Sequence, residues 1–79
     1  MIVSTFEYDH RNIYDSEFQE MVDLFDKKFP MADIESYENI TGNYVIEIRG
    51  ERITPIEMNW IIKIIGIEDL VSFTVNCKV

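Results

Sequence analysis

The sequence predicts an α+β fold in which a four-stranded antiparallel sheet carries two helices on one face. Three observations lead there. Two segments place apolar residues at helical spacing, four others are β-branched, aromatic or alternating, and turn and capping signals separate them. The resulting order is strand, helix, strand, strand, helix, strand.

The first strand is Ile2 to Tyr8, rich in β-branched and aromatic residues. The polar run Asp9-His10-Arg11-Asn12 interrupts it as a loop. Ser16-Glu17-Phe18-Gln19 has the form of a capping box, and a helix is expected from there. Phe18, Met21, Val22, Phe25 and Phe29 fall within an arc of about 100°, the width of a core-facing stripe. Glu20, Asp23 and Lys27 take the opposite side, and Pro30 stops the helix.

Asp33 to Thr41 reads as a weak, polar strand, and Gly42-Asn43 as a two-residue hairpin turn into Tyr44–Arg49. That turn would set Thr41 opposite Tyr44, Asn39 opposite Ile46 and Tyr37 opposite Ile48. Glu38 would then share a face with Glu47 and lie diagonal to Arg49, within reach of an ion pair.

Thr54-Pro55-Ile56-Glu57 is the clearest helix start in the chain. It combines a Thr N-cap, proline in the first helical position and glutamate three residues after the cap. Gly66 suits the helix end, with Ile67 expected to fold back on Ile62. Val71, Phe73, Val75 and Cys77 alternate with Ser72, Thr74, Asn76 and Lys78 as a half-buried last strand. Two right-handed crossovers joined by a hairpin give the ferredoxin-like arrangement, with the second and fourth strands at the edges. Acids on the second strand suit an edge, where charge discourages pairing with other chains.

The chain of 79 residues is expected to form one domain over 1–79, near the lower size at which one core suffices. Its 47% apolar and 28% charged content is that of a folded protein. Net charge −8 argues against a protein whose task is to grip phosphate backbones. A single cysteine excludes an internal disulfide, and no apolar run is long enough to span a bilayer. A soluble, cytoplasmic protein is the expectation. Thirteen isoleucines against one alanine point to an AT-rich gene, a composition common in bacteriophages and in many cellular genomes; for a viral gene the location is the host cytoplasm.

The fold hosts several chemistries, each with its own residue requirements. RNA-recognition domains of this shape stack bases on aromatics of the central strands. Here the open face is expected to show Val3, Thr5, Glu7, Val45, Glu47 and Arg49, with Glu38 beside them, a surface that repels phosphate. Acylphosphatases cradle phosphate in a glycine-containing loop after the first strand. This chain has Arg11 and Asn12 there, but no glycine before Gly42. Cys77 and His10 lie at opposite ends of the first strand, roughly 20 Å apart, so no thiol–imidazole dyad can form. Cys77 is expected to be a small core residue. No catalytic, cofactor or metal motif is present, and a non-enzymatic role follows. Ligand-binding regulatory domains of the ACT kind share the element order and form the alternative, although their usual glycine after the first strand is missing.

Two surface features point to protein binding. Met58, Ile61, Ile62 and Ile65 suffice as a core stripe for the second helix, which leaves Ile56, Trp60 and Ile64 as a second apolar stripe. Either the first helix or the Asp9–Ile13 loop covers it, or a homodimer or partner protein does. Acid density is the other feature. Asp15, Glu17, Glu20, Asp23 and Asp26 crowd the first helix, and Glu38 and Glu47 lie on the sheet. Such a field serves solubility, or it docks on a basic, nucleic-acid-binding partner as phage-type inhibitors do.

Overall fold

The computed structural model describes residues 1–9 and 15–79. Its elements are β1 (Ile2–Tyr8), α1 (Asp15–Lys28), β2 (Asp33–Glu38), β3 (Tyr44–Arg49), α2 (Pro55–Ile65) and β4 (Leu70–Lys78). The strands form one sheet in the order β2-β3-β1-β4, with every neighbouring pair antiparallel. This is the ferredoxin-like fold. No helix among the described residues is long and apolar enough to cross a membrane.

One core joins the layers. Phe6 and Tyr8 of β1 and Tyr44, Ile46 and Ile48 of β3 meet Met21, Val22 and Phe25 of α1 and Ile61 and Ile65 of α2. Both helices therefore pack on the same face of the sheet. Full burial of a Phe or Ile side chain stabilises by about 1.5–3 kcal/mol, against about 0–1 kcal/mol for an exposed ion pair. The cluster, not surface charge, holds this fold together.

Helix α1 starts at Asp15, two residues earlier than the Glu17 start that a Ser16 cap implies. Ser16 lies inside its first turn, and the Gln19 amide turns to Asp23 at 3.4 Å instead of reaching back. A capping serine must stand before the helix in extended backbone, so the Ser16–Gln19 box is not made. At α2 the expected box is complete: Thr54 Oγ1 accepts from the Glu57 N–H, and Glu57 Oε1 accepts from the Thr54 N–H. The α2 core arc is rotated toward Trp60 and Ile64, which pack on the cluster with Met58. Gly66 has a positive φ of +89°, but its ψ of 123° is not the left-handed helical conformation expected of it, and Ile67, 73% exposed, does not fold back on Ile62.

The hairpin corrects the expected register. Asn39 and Gly42 close a turn, with the Gly42 N–H donating to Asn39 O at 3.0 Å, and the Asn39 N–H donates to Asn43 O at 2.9 Å. The loop is thus Ile40-Thr41-Gly42, three residues with glycine at φ +85° in the position that needs it. The Asn39 side chain stiffens it by accepting from the Thr41 and Asn43 N–H groups. Glu38 pairs with Tyr44, Ser36 with Ile46 and Ile34 with Ile48, a shift of three residues from the expected register. An odd shift turns every β2 side chain to the other face. Ile34, Ser36 and Glu38 therefore share the helix side, while Asp33, Glu35 and Tyr37 share the open side.

Strand β4 also departs from simple alternation. Thr74 pairs with Thr5 and Cys77 with Val3, so β4 carries one extra residue opposite Ser4. Asn76 takes up this bulge at φ +56°. Beyond it the faces exchange, and Cys77 is exposed on the open side instead of packing in the core.

Candidate interaction surfaces

The acids expected to act together are divided between the two sides of the molecule. Glu17, Glu20, Asp23 and Asp26 are exposed on α1, Glu20 and Asp23 opposite the core stripe and the other two on its flanks. Asp15 opens the same helix, and its side chain lies outside the described residues. Glu38 stands on edge strand β2 on the helix side of the sheet. Glu47 lies on the open side, so the expected Glu38–Glu47 grouping and the Glu38–Arg49 pair do not form. The odd register shift is the reason.

Arg49 instead bonds Glu47 at 3.2 Å and reaches Glu35 at 3.6 Å. These carboxylates, the bonded Glu47 first, raise its pKa further. The open face thus carries Glu7, Asp33, Glu35 and Glu47 around this arginine, with Tyr37 at its edge. Val45 and Val3 are buried there although neither helix covers that side. Tyr37 pairs directly with Val45, and Arg49 with Val3, so long neighbours on the face supply the cover. Burial raises the Tyr37 hydroxyl pKa, and Glu47 adds to the effect. The roles of Glu35, Asp33 and Tyr37 escaped the sequence reading. The signal was present: asparagine at the first position of a turn and glycine at the fourth mark Asn39–Gly42 as a type I turn.

At the loop end of the same face, Glu7 Oε2 accepts from Asn43 Nδ2 at 2.8 Å, and Glu7 Oε1 from the Ser72 hydroxyl at 3.4 Å. The Asn43 bond, then Asn39, lower its pKa from the ordinary glutamate value, and partial desolvation opposes them. This carboxylate is held ionised, as an acceptor and not as a proton donor.

The second apolar stripe is covered from within for two of its three members. Trp60 packs on Phe25 (5.4 Å between ring centroids) and edge-on against Phe29 (6.2 Å), with Lys28 Nζ 5.4 Å from its ring. Ile64 packs on the core cluster, and only Ile56 is left out, 81% exposed. The α1 aromatics reach across to α2, so no continuous Ile56–Trp60–Ile64 surface exists.

A groove of about 420 Å³ opens between the start of α2 and β4. Ile53, Pro55, Met58, Phe73 and Val75 line most of it, and Arg52 is its one ionisable side chain. Among the described residues no group of three or more His, Cys, Asp or Glu could hold a metal ion. His10, Arg11 and Asn12, with the expected Asp9–Ile13 cover over Trp60 and the loop an ACT-type ligand would use, involve positions 10–14, outside the described residues. No protein-family model, no curated protein and no solved structure matches the chain.

Proposed function

We propose that this chain is a non-enzymatic protein-binding module that docks the acidic outer surface of α1 on a basic surface of a partner protein. One observation carries the reading. Glu17, Glu20, Asp23 and Asp26 stand exposed within ten residues and make no ion pair among the described residues. The acids of the open sheet face differ, because Arg49 and the asparagine side chains already engage Glu35, Glu47 and Glu7.

The physics is that of steering. A net charge of −8 attracts a basic surface over roughly 10 Å at moderate salt, and the α1 acids give that attraction a direction. Partners with suitable cations include nucleic-acid-binding proteins, whose phosphate-gripping lysines and arginines are the complement of this helix. An inhibitor of the kind phages make, acting in the cytoplasm by occupying such a surface, fits this chemistry. Lys27 and Lys28 close the helix and argue for docking by one patch, not for imitation of a whole duplex.

The test is affinity capture from the native host at about 50 and 200 mM salt. The bait is the wild-type chain or one with Glu17→Gln, Glu20→Gln, Asp23→Asn and Asp26→Asn. A basic protein held only by wild type, and released at the higher salt, is the expected result. Capture indifferent to salt and to the four substitutions overturns the reading.

A further inference from the structure

The two edges of the sheet are built differently. β2 closes one side with Asp33, Glu35 and Glu38 in six residues, and such charge blocks strand addition. β4 closes the other with nine residues and a single charge, Lys78. Val71 and Phe73 on this edge are 55% and 52% exposed. Beside them lies the apolar groove of Pro55, Met58, Phe73 and Val75, with Ile56 exposed just beyond Pro55. Among the described residues, an open sheet edge with a single charge thus adjoins an apolar groove.

We propose that two copies of this chain pair antiparallel through the free edge of β4, about a twofold axis near Thr74. Charge selects a second copy as the occupant. Glu68 and Asp69 immediately precede β4, and Lys78 ends it. Antiparallel pairing with the axis near Thr74 sets Lys78 of each copy opposite Leu70 of the other, one residue along from Asp69 and two from Glu68. The complementarity is of the surface to itself, which an isologous dimer requires. At net charge −8 two copies repel overall, so contact is favoured where each sets a base beside an acid of the other. The irregularities at Val71 and at Val75–Asn76 leave Ser72, Phe73 and Thr74 as the regular stretch. The interchain ladder is therefore short, and Phe73, Val71 and the groove supply most of the contact.

The chain's one cysteine makes this testable on the native sequence. Cys77 is exposed and stands on the open face, so a nitroxide there projects off the sheet and not into the edge. Light scattering of the unlabelled chain is expected to give twice the 9.4 kDa monomer mass at high concentration. Dipolar spectroscopy of the labelled chain is expected to give roughly 20–30 Å, because Cys77 lies three residues from the axis on each strand at about 3.4 Å per residue. Lys78→Glu is expected to weaken the dimer roughly three- to tenfold, and adding Glu68→Lys to restore it. A monomer at all concentrations, a label distance beyond about 35 Å, or a Lys78→Glu dimer as tight as wild type overturns the proposal.

Discussion

The side-chain amide of Asn76 bonds both polar groups of Ile53: its Oδ1 accepts from the Ile53 N–H at 2.8 Å, and its Nδ2 donates to the Ile53 carbonyl at 2.9 Å. The Asn76 N–H in turn donates to the buried hydroxyl of Ser4 at 2.9 Å. One bulge residue thus ties edge strand β4 to the segment that enters α2, directly before its Thr54 cap. Asn76→Ala leaves two partly buried backbone groups unpaired and keeps a Cβ at φ +56°, so a loss of about 2–4 kcal/mol is expected. Asn76→Gly loses the same bonds but relieves the backbone, and should cost about 1 kcal/mol less than alanine. Chemical denaturation of the pair checks this; equal losses would mean the left-handed backbone carries no strain.

Trp60→Ala is expected to cost about 2–3 kcal/mol, a little under the figure for a wholly buried tryptophan, because Phe25 and Phe29 lose a ring partner. Ile56→Lys, on the same helix but 81% exposed, should change stability by less than about 0.5 kcal/mol. Thermal unfolding of both distinguishes an internally covered tryptophan from a surface one; equal effects would contradict the packing.

Glu7 is expected to titrate below the ordinary glutamate range, since Asn43 and then Asn39 favour its charged form. Its folded pKa is depressed, so its contribution to stability is present above the unfolded glutamate pKa and is lost as pH falls through the folded value. Asn43→Ala should move the Glu7 midpoint upward. Carboxyl-detected NMR titration reads both, and an unmoved midpoint would show that the Asn43 bond is not the cause.

Gly42→Ala should destabilise by about 1 kcal/mol, because φ +85° suits glycine and not an L side chain. For a domain of this size that is a fall of roughly 4–8 °C in Tm. Gly42→Asn should cost less, since asparagine tolerates positive φ better than alanine does. An alanine variant as stable as wild type would argue against the three-residue loop.

The elements legible in the sequence were those whose signals are local. Thr54-Pro55-Ile56-Glu57 announces α2 because capping, proline placement and the glutamate partner all lie within four residues. Strands β1 and β3 follow from their own composition, as does the aromatic stripe of α1. Faces were harder, because they depend on one-residue differences. A three-residue loop at Ile40–Gly42, read as a two-residue turn, moved Glu38 to the helix side and brought Glu35 to Arg49. The bulge at Asn76 likewise moved Cys77 from the expected core to solvent. Trp60 was ambiguous for another reason: its cover comes from Phe25 and Phe29, more than thirty residues away, and no local pattern encodes that contact.

The acidic outer surface of α1 is the centre of the functional reading, and mapping a captured partner onto the chain tests it most directly. In a titration of the isotope-labelled chain followed by amide NMR, the largest shifts should cluster at Glu17, Glu20, Asp23 and Asp26. Shifts centred on Asp33, Glu35 and Glu47 of the open sheet face, with α1 unmoved, would contradict it.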